Sequence, residues 1–376
     1  MAPTRRRDRI VTSRHGPATA TEATELRDRV ARNVSPRAPS ETVAPSLRSR
    51  LLTPRTALSL GATVLIIGLA VWRAPVNWHD VGSAIRHADL RLYLAGIAAY
   101  YLSFLARTLR WQLLLRNAGE RCPAGPLYET LLVSFFVNCV VPAKMGDVYR
   151  AFLLRTRQGV GVMKGFGTII AERLLDLFVL MGLLVVAAAA TFGNRVPHQF
   201  VPALVAGVVL CVIASAALLV MGLGRGKRLL RLLPHGVQQR YEAFRVGTMS
   251  SFGRWPEVLP LSVLVWALEA TRLAFVVYAL GYSDLLTPRH FVLVALVAAL
   301  LTTVPFTPGG IGLVEAGMVG VLKAIGVGST PAAAIALLDR SISYGTLVVI
   351  GCIVFTLTHL RVPHAQRQPL ADEPGG

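Results

Sequence analysis

The sequence predicts an all-α polytopic membrane protein, with about six full spans and two re-entrant helical hairpins arranged as inverted repeats. Three observations carry this. Of 376 residues, 53% are apolar and only 16% are charged, against about a quarter charged in soluble domains. The apolar residues gather into eight runs of helical length. The charge gathers between and outside those runs. Such a composition excludes a soluble globular enzyme and a disordered protein.

Taken in order, residues 1–50 are rich in Arg, Ala, Thr, Ser and Pro, without apolar periodicity. They read as a disordered, basic, cytoplasmic N-terminus. No apolar stretch follows Arg5-Arg6-Arg7 closely enough to make a cleavable signal. The membrane domain is expected over 51–358. Its long runs are 56–73, 89–115, 165–192, 200–223, 257–282 and 331–358. Two further runs are short: 127–141 stops at Pro142, and 290–304 stops before Pro305 and Pro308. Fifteen helical residues reach about 22 Å, less than the roughly 30 Å hydrocarbon core. The segments 127–157 and 290–326 therefore read as hairpins that enter and return from one side. Such backbone is tolerated where protein or a water-filled cavity surrounds it. Residues 359–376 form a polar tail.

Charge assigns the sides. The segment 224–256 carries Arg225, Lys227, Arg228, Arg231, Arg240, Arg245 and Arg254 against Glu242 alone before Glu257. By the positive-inside rule it is cytoplasmic, as are both termini. Part of it, 225–247, reads as a basic amphipathic helix on the inner leaflet. The net charge of +19 is thereby explained by anionic lipid, without nucleic acid. The protein is expected in the cell (plasma) membrane.

An internal repeat is legible. Pro142-Ala143-Lys144-Met145-Gly146 precedes an apolar helix bearing Glu172-Arg173. Pro308-Gly309-Gly310-Ile311-Gly312 precedes one bearing Asp339-Arg340. Proline to arginine is 31 residues in the first and 32 in the second. Upstream, Arg110 precedes Gly119 by nine residues and Arg272 precedes Gly281 by nine. The units run over about 89–192 and 257–358. With the topology above, one begins outside and the other inside. Inverted repeats of this kind place transporter sites near the midplane.

Ionisable residues inside a bilayer are costly, so each is a functional candidate. Arg173 and Arg340 are expected either to hold an anionic headgroup, with Glu172 and Asp339 orienting them, or to form structural ion pairs. Neighbours in sequence do not face each other on a helix, so each arginine is expected to pair across helices. The hairpin tips add half-helix N-termini, near Gly146 and Gly310, whose free N–H groups favour anions. Lys144, Asp147 and Arg150 follow the first tip, and Gly312 and Glu315 the second. Pro308-Gly309-Gly310 is alternatively a plain tight turn. Arg107, Arg110 and Arg272 are buried-cation candidates. For Arg107 and Arg110 the competing expectation is snorkelling to the headgroups. Neither cysteines nor histidines show metal-ligand spacing, and no cofactor is implied.

At these residues the chain resembles the lysylphosphatidylglycerol synthase transmembrane family, also called flippase-like. The likeness rests on Arg110-Trp111-Gln112-Leu113-Leu114, Gly146-Asp147-Val148-Tyr149-Arg150, Glu172-Arg173 and Pro308-Gly309-Gly310-Ile311-Gly312 with Glu315-Ala316. It covers about 55–358. In full-length synthases a soluble aminoacyl-transferase domain follows the membrane part. The present chain ends some 18 residues after its last run, so aminoacylation is not expected of it. The resemblance implies a stand-alone translocator of an anionic phospholipid or lipid-linked substrate. Two other readings stand beside it: an intramembrane enzyme acting on lipid phosphate, and a scaffold for a lipid- or glycan-modifying partner.

Overall fold

In the computed structural model the described residues are 76–141, 144–193, 197, 201–224, 234–303 and 307–360. Among them the regular structure is entirely helical. The N-terminal segment, the 56–73 run, Pro142, residues 225–233 and the tail 361–376 lie outside the described residues.

The first described helix is the short α1 (Trp78–Arg86). Asn77 caps it by accepting from the His79 amide, and Val81 is buried against Ala333 and Ala334. Then comes α2 (Leu90–Asn117). Asp89 caps it, its carboxylate accepting from the Arg91 and Leu92 amides. Its 28 residues reach about 42 Å. Gly119, at φ +85°, lies just beyond its end, and Gly281, at φ +75°, lies just beyond the end of α8. Left-handed glycines close helices in this way, which is the physical content of the matched Arg–Gly spacing.

The first hairpin is α3 (Ala124–Val140) and α4 (Met145–Gln158). The long α5 (Val162–Phe192) follows, then α6 (Val201–Gly222). Val205, Val209, Val212 and Ile213 are exposed on α6, as a lipid-facing span requires. Helix α7 (His235–Ser251) occupies much of the basic segment expected on the leaflet surface. It packs on α5 through paired glycines. A Cβ at Gly167 would strike the Phe244 carbonyl, and one at Gly247 the Lys164 carbonyl. Small residues allow such close helix approach. Thr248 adds a hydroxyl bond to the Gly167 carbonyl.

The second unit comprises α8 (Trp255–Ala279), α9 (Pro288–Thr302), α10 (Leu313–Ala324), α11 (Ser329–Arg340), a π-helical turn (Ser341–Thr346) and α12 (Leu347–Leu360). Pro288 sits in the first turn of α9, where no amide is missed. Thr287 and His290 form its capping box. Tyr93, Tyr100 and Tyr101 of α2 hold the π turn through Ser341, the Ser343 carbonyl and Thr346 at 2.8–2.9 Å.

By length and composition, five segments among the described residues can cross a membrane: Leu90–Asn117, Val162–Phe192, Leu204–Gly222, His235–Ala279 and Ser329–Thr358. They match five of the six expected spans. The short apolar helices α3 and α9, of 17 and 15 residues, reach only about 25 and 22 Å.

The units interlock. Helices α2 and α8 run antiparallel. Gly96 lies against Arg272 and Phe275, Ser103 bonds Glu269, Arg110 bonds Ser262, and Asn117 reaches the Ser251 carbonyl. Helix α3 packs on α12, and α9 packs on α5. Each hairpin thus leans on the closing span of the other unit, and one apolar core runs through both.

Candidate functional site

Between the hairpin tips and the long spans lies a cavity of about 480 Å³. Helices α2, α3, α5, α8 and α9, both tips and the π turn contribute to its wall. Leu174, Leu177, Leu180 and Leu210 make one side apolar. Charge dominates the rest: Arg107, Lys144, Arg173, Arg272 and Arg340 face Asp147, Asp176, Glu269 and Asp339.

The same ion pairs occur in both units. Arg173 of α5 donates twice to Asp147 at the first tip, at 2.7 and 3.0 Å. Arg340 of α11 donates to Glu315 at the second tip, at 2.8 Å, and to the Gly309 carbonyl at 2.7 Å. Arg110 of α2 bonds Glu172 at 3.1 Å, as Arg272 of α8 meets Asp339 at 3.3 Å. Cross-helix pairing was the expectation for Arg173 and Arg340. Their partners are Asp147 and Glu315, on other helices, and not the sequence neighbours Glu172 and Asp339. Neighbouring positions diverge by about 100° on a helix, so the adjacent carboxylates point to other cations.

Eight of the fifteen candidates stand apart from the cavity wall. Arg110, Arg150 and Glu172 form a sealed network behind it, each at most 1% exposed. Glu172 lies between Arg110, at 3.1 Å, and Arg150, at 2.8 Å, the latter an ion pair without hydrogen-bond alignment. Arg110 also donates to Asp176 at 3.0 Å. The Arg150 guanidinium lies 3.6 Å over the Trp111 ring, and Trp111 donates to Thr168. Arg107 and Arg110 do not snorkel. They are 6% and 0% exposed and end on inward carboxylates.

The glycines at the tips serve packing rather than open access. A Cβ at Gly146 would strike the Ser134 carbonyl, and its amide already donates to Asn138 at 2.8 Å. The Gly312 amide donates to Glu315 at 2.7 Å. The amide of Gly146, second in α4, and that of Gly312, the cap of α10, are thus each taken by a side chain instead of remaining free for an anion. Pro308 opens a short turn through Gly310, whose Cβ would press on Val314. Gly309 does line the cavity, beneath the Tyr344 ring.

Lys144, Asp147, Arg173, Arg272, Gly309, Asp339 and Arg340 are therefore the candidates that the fold brings together at the cavity. The sequence reading missed Glu269 and Asp176 as site members, with Asn138, Trp266, Tyr100 and Tyr344. Glu269 and Asp176 were legible as charges inside apolar runs. The aromatics carried no signal beyond hydrophobicity. Glu269 bridges Arg107 at 3.1 Å and Arg272 at 3.3 Å.

Two local features stand out. Lys144 has φ +52° and is the one non-glycine residue with positive φ among those described. That conformation costs an L-residue roughly 1–2 kcal/mol. Several buried donors at the cavity have no partner among the described residues: Nε and Nη1 of Arg272, Nε of Arg107, Nε1 of Trp266 and the Thr307 hydroxyl. Orphaned buried donors are rare and costly; these belong to residues of the wall, each with less than 1 Å² accessible. The arrangement can hold an anion with hydrogen-bond acceptors.

Known proteins align with this architecture. A UPF0104 membrane protein of Methanocaldococcus jannaschii is 28% identical over 234 residues, 60% of this chain and 96% of that protein. A UPF0104 membrane protein of Methanothermobacter thermautotrophicus is 24% identical over 320 residues, covering 77% and 93%. Glycosyltransferase AglD of Haloferax volcanii is 26% identical over 343 residues, 80% of this chain. The chain spans only about half of that relative, 54%. The profile of the lysylphosphatidylglycerol synthase TM region matches residues 57–351, within which every cavity and network residue above falls. The chain is a multi-pass membrane protein and belongs to the lysylphosphatidylglycerol synthase transmembrane family.

Proposed function

We propose that the protein binds the anionic headgroup of a lipid or lipid-linked molecule in this cavity and moves it between leaflets. The observation that carries the reading is a cation-rich cavity set between two short hairpins. The units are taken as inverted repeats, with the hairpins re-entrant from opposite faces. Alternating exposure of one unit against the other then supplies a path. The basic segment at 224–256 and both termini lie on the cytoplasmic side in this reading.

In the mechanism, Arg173 and Arg340 meet the headgroup while Asp147 and Glu315 hold them in place. The sealed Arg110–Glu172–Arg150 network keeps α2, α4 and α5 in register behind them. The apolar side at Leu174, Leu177 and Leu180 suits the upper part of an acyl chain. No chemical step is required, since binding and reorientation suffice.

Reconstitution into liposomes carrying fluorescent phosphatidylglycerol, with dithionite quenching of the outer leaflet, tests the reading. Wild-type protein is expected to expose inner-leaflet lipid to quenching. Arg173→Ala, removing a half-buried side chain, is expected to stay folded and to lose this. Transport by the variant at the wild-type rate would refute the site.

A second reading is favoured by the Haloferax relative, which is named a glycosyltransferase. There the cavity takes a lipid-linked sugar and works beside a glycan-modifying enzyme. Fluorescent prenyl phosphosugar in the same liposomes separates the two.

A further inference from the structure

We infer that the cavity selects a lipid-borne phosphodiester, a headgroup with one negative charge, and that Lys144 is the residue that reads this charge. The inference rests on the translocation reading for its lipid, but not for its charge.

Five cations and four carboxylates line the cavity; Arg110, Arg150, Glu172 and Glu315 directly behind it bring the totals to seven and six, and Asp176 is taken by Arg110. Each of the four arginines is paired with a carboxylate: Arg107 with Glu269, Arg173 with Asp147, Arg272 with Glu269 and Asp339, and Arg340 with Glu315. The Lys144 ammonium has neither an ion-pair nor a hydrogen-bond partner among the described residues. One positive charge is left uncompensated in a site of low dielectric, where it favours one negative charge in a ligand. A second charge, as on a phosphomonoester or a diphosphate, would face Asp147, Asp176, Glu269 and Asp339 without a free cation.

The backbone points to the same residue. Lys144 and Gly310 each stand two positions after their tip proline. Both adopt left-handed backbone, at φ +52° and +73°. Glycine suits that conformation and lysine does not. The second tip carries the residue its backbone prefers, and the first carries a lysine against that preference. A side chain placed at such a cost, beside a cavity and unpaired, points to a role for the ammonium itself.

The test uses detergent-purified full-length protein and four short-chain probes. These are dioctanoyl phosphatidylglycerol, a short prenyl phosphosugar, dioctanoyl phosphatidic acid and dioctanoylglycerol, followed by tryptophan fluorescence. At least one of the two diesters is expected to bind about tenfold more tightly than phosphatidic acid or dioctanoylglycerol. Whichever diester binds names the source of the phosphodiester. Lys144→Gly is expected to weaken that binding about tenfold, the value of one charge-assisted contact, with an unchanged or higher melting temperature. Lys144→Arg is expected to retain binding. Wild-type affinity in Lys144→Gly overturns the inference, as does equal binding of phosphatidic acid. A melting temperature that falls with binding in both variants also overturns it, because Lys144 is then structural. Translocation is measured separately. Normal translocation by Lys144→Gly sinks this inference alone. Lys144-dependent binding without translocation sinks the translocation reading alone.

Discussion

Glu172→Leu separates the sealed network from the cavity. Glu172 is 1% exposed and lies 3.1 Å from Arg110 and 2.8 Å from Arg150, both fully buried. At an effective dielectric of about 20, each contact near 3 Å is worth roughly 5 kcal/mol of Coulomb energy before desolvation. Arg110 keeps Asp176 after the substitution, at 3.0 Å. Among the described residues Arg150 then keeps only the Trp111 ring face, worth about 2 kcal/mol when desolvated. Removing one partner of a buried pair typically costs about 3–5 kcal/mol, and that loss is expected here. Replacing both partners, as Arg150→Met with Glu172→Leu, removes the stranded charge and is expected to recover most of it. Reversible unfolding in mixed micelles, titrated with sodium dodecyl sulfate and followed by tryptophan fluorescence, measures both. A single variant within about 1 kcal/mol of wild type, or a double variant no better than the single, would refute the assignment of this network to folding.

Two other outcomes follow from the fold. Gly247→Leu forces α7 off α5, because even a Cβ would meet the Lys164 carbonyl; a loss of about 3 kcal/mol or failure to fold is expected, from overpacking, in the same titration. Asp80→Cys, exposed on α1, is expected to react from outside the cell with an impermeant maleimide, and Gln239→Cys, exposed on α7, only after permeabilisation. The opposite pattern overturns the orientation assigned from charge.

The legibility of this protein divides along a physical line. Apolar run length is a local property, so the bilayer-spanning helices could be read directly, and α2, α5, α6, α8 and α11–α12 lie where the runs predicted them. Tip prolines and end glycines are local too, since they act through φ and a missing amide. The prolines marked both hairpins, and the matched Arg–Gly spacing placed Gly119 and Gly281 at corresponding positions, which the fold makes helix ends. The repeat could be seen for the same reason. The sequence also located the charges inside the membrane domain.

What each charge meets is a property of the fold. Glu172 and Arg173 are neighbours in sequence, yet one is sealed between Arg110 and Arg150 while the other turns to Asp147 at the cavity. Helical rotation sends adjacent side chains in different directions, and only the packing of α2, α4 and α5 decides which neighbour receives each. Tip glycines were legible as positions but not as contacts. Gly146 admits the Ser134 carbonyl and not a ligand, because α3 happens to pass there. The left-handed backbone of Lys144 likewise comes from the tertiary turn, since lysine by itself prefers other conformations. Composition and periodicity fix where helices form and which charges they must bury. Long-range packing alone fixes which charges cancel, and so which one is left to face the cavity.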